Sequence, residues 1–174
     1  PGARILIMDP EGREVPRGQP GEIWHSGPMI VPGYWDNPAA TEREFCGGFW
    51  RSGDVGSMDE DGFVTIHDRL KDMINRGGFK VFAAEVEAIL SELPGVVEAA
   101  VLAKPCPVLG ERVHAAITTD GTLSDKDIFA FCDNTLSKHQ QPETLTLTAD
   151  PLPRNANGKL MKAQLRERLG LLAS

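Results

Sequence analysis

A charged stretch that ends in two glycines divides this sequence into halves of different character. Residues 68–76 hold five charged side chains around a short apolar core, and Gly77 and Gly78 follow directly. Glycine adopts backbone angles that other residues avoid, so the pair predicts a flexible loop, with a helix after it. Short apolar segments broken by Gly and Pro precede the stretch, whereas helical periodicities and strands alternate after it. The stretch therefore predicts a joint between two domains.

The segment before residue 68 has the pattern of a β-rich domain. Turn residues bound four predicted strands, which lie at 4–8, 22–25, 55–58 and 63–67. The acidic turn at 59–62 separates the last two strands, so we expect a hairpin that leads into the charged stretch. One or two helical turns are predicted at 39–45.

The segment after the glycines alternates helices and strands. Three helices are predicted from apolar residues at helical spacing, with inner faces made of Val86, Ile89, Leu90 and Leu93, of Ile128, Phe131, Cys132 and Leu136, and of Met161, Leu165, Leu169 and Leu172. On the last helix, Lys162, Arg166 and Arg168 are predicted to face outward. Strands are predicted at 99–103, 113–118 and 145–148. The predicted fold class is mixed α/β, of the α+β type.

Composition excludes several function classes. The chain has 174 residues and a net charge of -7, with 25 acidic and 18 basic residues and no dense basic run. We therefore expect no nucleic-acid partner, because sequence-independent binding needs clustered Lys and Arg. Three widely spaced cysteines support neither a disulfide framework nor a zinc site and indicate a reducing compartment, the cytoplasm. No apolar run approaches the length of a transmembrane segment.

Two charged residues near the predicted hairpin are candidates for binding a nucleotide. Asp54 follows Gly53 where the hairpin begins, and its carboxylate could accept hydrogen bonds from the two hydroxyls of a ribose. Arg69 follows the second strand, and its planar guanidinium could reach a ribose or a phosphate. Taken alone, a turn aspartate and a surface ion pair explain these residues as well.

Lys159 and the glycine pair are the other candidates. Lys159 ends a loop of Pro, Asn and Gly residues, where an ammonium group could stabilise developing negative charge, although Asn157-Gly158 is also an ordinary turn signal. The spacing to the preceding glycine excludes a GxxxxGK phosphate loop. Gly77 and Gly78 would let the backbone approach a ligand closely. The four histidines occur at no ligand or triad spacing.

Four motifs in order give the sequence a family resemblance. They are Gly21-Glu22 with Gly33-Tyr34-Trp35 and Thr41, Trp50-Arg51-Ser52-Gly53-Asp54, the segment 68–78 with Glu85-Val86-Glu87 after it, and Pro153-Arg154-Asn155-Ala156-Asn157-Gly158-Lys159. Together they resemble the adenylate-forming, or AMP-binding, superfamily and are most similar to its acyl-CoA and aryl-CoA synthetases. The resemblance implies two steps, in which a carboxylic acid and ATP give acyl-AMP and pyrophosphate, and coenzyme A then displaces AMP.

The resemblance also implies a domain layout and residue roles. Residues 1–70 would be the last, barrel-like β-rich subdomain of the large AMP-binding domain, and residues 71–174 the small mobile domain, with a short sheet and about three helices. Asp54 and Arg69 would bind the ribose, and Lys159 would be catalytic and bind the nucleotide during adenylation. Lys71 would be the hinge. Gly77 and Gly78 would line the channel for the pantetheine of CoA.

Departures from the family pattern limit what the resemblance implies. Asn75 stands where many relatives have Lys, which leaves the role of that lysine unfilled, and Asp68 stands where Gly is frequent. The phosphate loop, the Mg²⁺ ligand and the acyl pocket would lie upstream of Pro1, so no metal ligand is expected within the chain. We expect the chain to be the C-terminal part of a longer protein and not to catalyse adenylation alone.

Two alternatives stand beside the CoA ligase. One is the amino-acid-activating domain of a peptide synthetase, which the absence of a carrier domain after Ser174 disfavours. The other is a non-catalytic nucleotide-binding or interaction module that has kept the motifs. The acid itself cannot be identified, because the predicted pocket lies outside the sequence.

Overall fold

The computed structural model describes residues 2–172 and divides the chain into two compact units. The division falls between Lys71 and Asp72, and we call the two parts the N-terminal unit and the C-terminal unit. The sequence placed the boundary one residue earlier. Their strands and helices confirm the predicted mixed α/β fold class. No helix among residues 2–172 is long and apolar enough to cross a membrane.

The N-terminal unit is an antiparallel sheet of five strands with one short helix. In chain order the elements are β1 (Arg4–Met8), β2 (Gly21–Ser26), α1 (Pro38–Glu44), β3 (Phe45–Cys46), β4 (Phe49–Met58) and β5 (Val64–Arg69). The order across the sheet is β1-β2-β4-β3, and β5 also pairs with β4. Ile7, Ile23 and Met58 form its small buried core.

Strand β4 is longer than the sequence predicted. The apolar pattern indicated only residues 55–58, but the strand begins at Phe49 because the preceding residues pair with two neighbours. Trp50 lies opposite both His25 of β2 and Phe45 of β3. Pairing with distant parts of the chain thus extends the strand through a polar segment that has no strand pattern of its own.

The C-terminal unit contains five strands and three helices among its described residues. They are β6 (Ile74–Arg76), β7 (Phe79–Val81), α2 (Ala83–Leu90), β8 (Val96–Cys106), β9 (Gly110–Thr119), α3 (Asp125–Thr135), β10 (Thr144–Thr148) and α4 (Lys162–Arg168). Strand β9 is central, since it pairs with β6, β8 and β10, and only the pairing with β10 is parallel.

Both faces of this sheet are covered, which explains the continuous apolar run in β8. Val101 belongs to the core cluster that contains Val86 of α2 and Ile128 of α3. The flanking Ala100 and Leu102 belong to a separate cluster with Leu165 of α4. A strand buried on two faces carries apolar residues at successive positions, and this pattern predicted the central strand.

The glycine pair is the turn of a hairpin, so the predicted loop followed directly by a helix is wrong. Arg76 lies opposite Phe79 in β6 and β7, and only Gly77 and Gly78 separate them. Their φ angles are +58° and +90°. Two-residue hairpin turns favour consecutive positive φ angles, which glycine adopts without a steric penalty. Helix α2 begins only at Ala83, after strand β7.

The predicted orientation of the last helix is partly wrong. Leu165 is buried, but Met161 and Leu172 are exposed, and the buried apolar residue beyond the helix is Leu171. Helix α4 spans only seven residues and ends at Arg168, so its periodicity does not continue to residue 172.

Two of the predicted outward cations on α4 are instead drawn into ion pairs. Lys162 contacts Glu87 at 2.7 Å, and Arg166 contacts Asp72 at 3.5 Å, with all four side chains at most 20% exposed. Arg168 is half-exposed, as predicted.

Candidate functional site

Asp54 and Arg69 form an ion pair across the β4–β5 hairpin. They are direct partners in the strand register, and Arg69 Nε lies 2.8 Å from Asp54 Oδ1. Both side chains are partly exposed, at 31% for Asp54 and 55% for Arg69. The two residues predicted to contact a ribose are therefore brought together, although 15 positions separate them in the sequence.

Ser52 fixes the backbone beside Asp54, a role that the sequence analysis missed. Its hydroxyl donates to the carbonyl of Ile23 at 2.8 Å and accepts a hydrogen bond from the Asp54 N–H at 3.0 Å. Gly53, between them, has a φ of +70°. The carboxylate of Asp54 is thus presented from a backbone tied to the neighbouring strand β2. In the sequence, the only sign of this role is a serine followed by a glycine. That pair is too common to identify a residue that fixes the backbone.

A charged cleft of about 420 Å³ lies beside this pair. Its lining includes Arg43, Arg51, Arg69 and Lys71 together with the carboxylates of Glu22 and Glu44. Four cations meet these two carboxylates and the adjacent Asp54, which pairs with Arg69, so an excess of one positive charge remains for an anionic ligand.

The two carboxylates of the cleft are held by neighbouring donors. Glu22 accepts hydrogen bonds from Trp24 Nε1 at 2.9 Å and from the guanidinium of Arg51. The Tyr34 hydroxyl donates to Glu44 at 2.6 Å, and this bond, with help from Arg43, lowers the pKa of Glu44. Both carboxylates are therefore paired with arginines and held in place in the cleft.

Lys71 is an exposed turn residue at the end of the N-terminal unit. The N–H of the preceding Leu70 donates to the carbonyl of Gly53 at 2.8 Å, which fixes the chain just before it. Directly after it, Asp72 is buried and paired with Arg166 of α4. Lys71 thus lies between two residues that are each held within their own unit.

The glycine turn is open on one side and closed on the other. A Cβ atom added at Gly78 would meet no atom within 4 Å, whereas one at Gly77 would lie 3.2 Å from Leu109 Cδ2. The Gly77 N–H also donates to the Leu109 carbonyl at 2.8 Å. The turn is consequently rigid but leaves space above Gly78. Asn75, in strand β6, is exposed.

Lys159 is exposed at the end of a tightly closed loop at residues 153–161, which we call the lysine loop. Asn155 organises it, because its side-chain oxygen accepts hydrogen bonds from the N–H groups of Asn157 at 3.0 Å and Lys159 at 2.9 Å. Gly158 completes the turn with a φ of +77°. The backbone of Lys159 is therefore fixed, while its side chain extends into solvent.

The histidines and acids of the described residues do not form a metal centre. Among residues 2–172, no three His, Cys, Asp or Glu side chains are grouped in a way that could hold a metal ion. His67 pairs with Ser57 at 2.9 Å, and His114 is buried between the hydroxyls of Thr144 and Thr146.

Comparison with known proteins shows which enzymes the chain is similar to. Residues 85–159 match the model of the AMP-binding enzyme C-terminal domain. Over 168 residues the chain is 36% identical to a long-chain-fatty-acid–CoA ligase of Escherichia coli O6:H1. This match covers 96% of the chain and 30% of the ligase. The chain is therefore similar to AMP-binding enzymes and acyl-CoA ligases over almost its whole length. The predicted resemblance to acyl-CoA synthetases is thereby confirmed.

Two further relatives match almost the whole chain. A feruloyl-CoA synthase of Amycolatopsis sp is 39% identical over 168 residues, covering 95% of this chain and 34% of that protein. The crystal structure of ATP-bound MatB from Rhodopseudomonas palustris matches with a TM-score of 0.87 at 40% identity, over 97% of this chain and 34% of that one. The chain thus spans about a third of the length of the relatives it matches.

Proposed function

We propose that this chain is the C-terminal part of an ATP-dependent carboxylic acid–CoA ligase. The observation that carries the proposal is the Asp54–Arg69 pair, which the strand register sets beside a cleft with excess positive charge. The CoA ligase and CoA synthase among its relatives support the same activity. The remaining N-terminal portion of the protein would supply the acyl pocket and the ligands of Mg²⁺, for which the described residues offer no cluster of donors.

In the first step, a carboxylate oxygen of the substrate attacks the α-phosphorus of ATP. The new O–P bond forms as the bond to pyrophosphate breaks, and the product is acyl-AMP. Two anions must approach each other, so a cation held at that point lowers the barrier. We assign this role to Lys159, whose exposed ammonium extends from the fixed lysine loop.

The nucleotide is held through its ribose in both steps. The carboxylate of Asp54 can accept hydrogen bonds from two neighbouring hydroxyls, and the ion pair with Arg69 orients that carboxylate. Because Ser52 fixes the backbone of Asp54, little ordering would be lost when the nucleotide binds.

In the second step, the sulfur of CoA attacks the acyl carbon and the C–O bond to AMP breaks, while the thiol proton is lost to solvent. We assign Gly77 and Gly78 to the pantetheine channel, where the open side of Gly78 leaves room for a thin chain. The two steps need different groups at the reacting carbon, so we infer that the C-terminal unit rotates about Lys71 between them.

The cytoplasm is the compartment that we propose for this ligase. The three cysteines, all within the described residues, are free. Free thiols persist where glutathione and thioredoxin keep them reduced, and ATP and CoA are available there.

Substitution of Lys159 tests the proposal in the complete protein. Lys159→Ala should reduce acid-dependent pyrophosphate release at least about a hundredfold, because a preorganised charge contact of this kind is worth roughly 3 kcal/mol. Formation of the thioester from supplied acyl-AMP should persist. Lys126→Ala, an exposed lysine of α3, is the matched control. Equal loss in both half-reactions would contradict the assignment of Lys159.

A panel of acids tests the activity itself. Pyrophosphate release and CoA consumption should depend on one class of acid among short-chain, long-chain and aromatic ones. Amino acids as the only active substrates would favour an amino-acid-activating enzyme instead. Nucleotide binding with no pyrophosphate release from any acid would favour a non-catalytic module.

A further inference from the structure

Arg154 ties the lysine loop to the central sheet of the C-terminal unit. Its guanidinium donates to Glu98 through Nε at 2.9 Å and also through a terminal nitrogen. The other terminal nitrogen donates to the carbonyl of Gly158 at 2.7 Å. One side chain therefore bridges an acid of strand β8 and the peptide group directly before Lys159.

Glu98 is a firm anchor for this bridge. It lies on β8, and its side chain is only 19% exposed. Its second oxygen accepts a hydrogen bond from the N–H of Leu152 at 3.0 Å, just before the lysine loop begins. This backbone bond and the Arg154 guanidinium lower the pKa of Glu98, so the carboxylate stays charged across the physiological range.

The lysine loop also contacts the sheet through Leu160, which packs against the cluster that contains Ala100 and Leu102 of β8. Asn155 closes the turn from within, but its hydrogen bonds join residues of the loop to one another and not to the sheet. On the far side, Lys162 of α4 contacts Glu87, which also accepts a hydrogen bond from the N–H of Val101 in β8. Without the Arg154 bridge, the turn could keep its shape but would lose its attachment to β8 through Gly158.

We propose that Glu98 and Arg154 are positioning residues that hold Lys159 at the point where adenylation needs its charge. The proposal rests on the role proposed for Lys159 above. Misplacing a catalytic group by about 1 Å costs on the order of a hundredfold in rate, so the attachment of its loop affects the chemistry directly. The thioester step does not use Lys159, so the bridge should matter for one half-reaction only.

The positioning role of Arg154 is tested by measuring the kinetics of both half-reactions in the complete protein. Arg154→Ala should lower kcat for acid-dependent pyrophosphate release about tenfold or more, with the KM for ATP changed less than about twofold. Thioester formation from supplied acyl-AMP should stay within about twofold of wild type. Arg154→Lys should recover part of the rate. The lysine ammonium can contact Glu98, but it lacks the planar guanidinium that donates to Glu98 and to the Gly158 carbonyl at the same time.

Arg168→Ala is the matched control. Arg168 forms an exposed ion pair with Asp150 in the same unit. It should leave both half-reactions unchanged. If Arg154→Ala lowers both half-reactions equally, or has no larger effect than the control, the positioning role is wrong.

Hydrogen exchange gives a readout that does not depend on activity. The N–H groups of Gly158 and Lys159 should exchange about tenfold faster in Arg154→Ala than in wild type, with no change in β9. Unchanged exchange in the loop would overturn the proposal even if activity falls. Absence of pyrophosphate release in wild type would refute the ligase, and the exchange rates would then decide by themselves whether Arg154 orders the loop.

Discussion

Asp54 and Arg69 show how a pair of exposed charges can matter more for binding than for folding. Partly exposed ion pairs contribute about 0–1 kcal/mol to stability, since solvent screens them and ordering two side chains costs entropy. A carboxylate that also receives two ribose hydroxyls gains hydrogen bonds of about 1.5–3 kcal/mol each. The effect of removing Asp54 should therefore appear in nucleotide affinity.

Asp54→Ala should weaken AMP binding by the complete protein about tenfold to a hundredfold, as measured by titration calorimetry. Its melting temperature should change little. Asp61→Ala, in the exposed turn between β4 and β5, provides the control, since Asp61 lies in the same hairpin but away from the cleft. An affinity within twofold of wild type would remove Asp54 from the nucleotide site.

His114 is a buried residue whose protonation should couple stability to pH. It is 4% exposed in β9, and its ring nitrogens pair with Thr144 at 2.7 Å and Thr146 at 3.2 Å. Burial, with a smaller effect of Lys104, lowers its pKa to about 4 from the ordinary 6.5. The folded state therefore binds this proton less readily than the unfolded state, and stability falls as pH decreases from 6.5 towards 4.

The loss attributable to His114 should be about 2 kcal/mol between pH 7 and pH 5. Urea denaturation of wild type and His114→Gln at both pH values measures it, because the variant should lose less stability over this interval. His139→Gln, in which His114 is retained, serves as the control. If His114→Gln and wild type respond equally to pH, then His114 titrates normally in the folded state.

At the scale of elements, the glycine pair was predicted to form a flexible loop but forms the turn of the β6–β7 hairpin. Gly77 and Gly78 have positive φ angles, and the Gly77 N–H donates a hydrogen bond to the Leu109 carbonyl. The sequence correctly indicated that glycine was required here. It did not show that the reason was a two-residue turn, because the paired strands β6 and β7 have only three residues each, too few to give a strand pattern.

Gly78→Leu should block thioester formation in the complete protein while acyl-AMP formation stays within about threefold of wild type. The positive φ should cost about 1–2 kcal/mol of stability in any variant at this position. Gly121→Leu is the matched control, because Gly121 has a φ of +91° and equally open surroundings in the same unit. If Gly78→Leu turns over CoA normally, the pantetheine does not pass this turn.

At the scale of the whole molecule, a short segment around Lys71, which we propose as the hinge, joins two units with separate cores. On the N-terminal side of Lys71, the Leu70 N–H donates a hydrogen bond to the Gly53 carbonyl. On the C-terminal side, Asp72 forms an ion pair with Arg166. Only the segment around Lys71 is left to absorb a change in backbone angles. This is the geometry that a hinge of a few residues requires.

Lys71→Pro should impair one half-reaction at least about fivefold more than the other, because proline fixes φ and restricts the preceding residue. Pyrophosphate release and thioester formation from supplied acyl-AMP, measured in the complete protein, give the ratio. Lys71→Ala removes the charge but keeps the backbone free, so it should leave the ratio near that of wild type. Equal impairment by Lys71→Pro would place the hinge elsewhere.

The sequence by itself determined the fold class and most of the elements of this protein. Local signals were sufficient where an element is defined by its own residues, as for the apolar run in β8. The ordered motifs likewise predicted the adenylate-forming family.

Only the tertiary structure decided which side chains meet. The Asp54–Arg69 pair, the Ser52 contact and the Glu98–Arg154–Gly158 bridge each join residues whose separation in sequence carries no signal. The same holds for Lys162 and Arg166, whose ion pairs with Glu87 and Asp72 reversed the predicted outward face of α4. The apolar periodicity of a sequence predicts which side of a single helix or strand is buried. These contacts depend instead on how distant elements pack against each other, and that packing is specified by the chain as a whole.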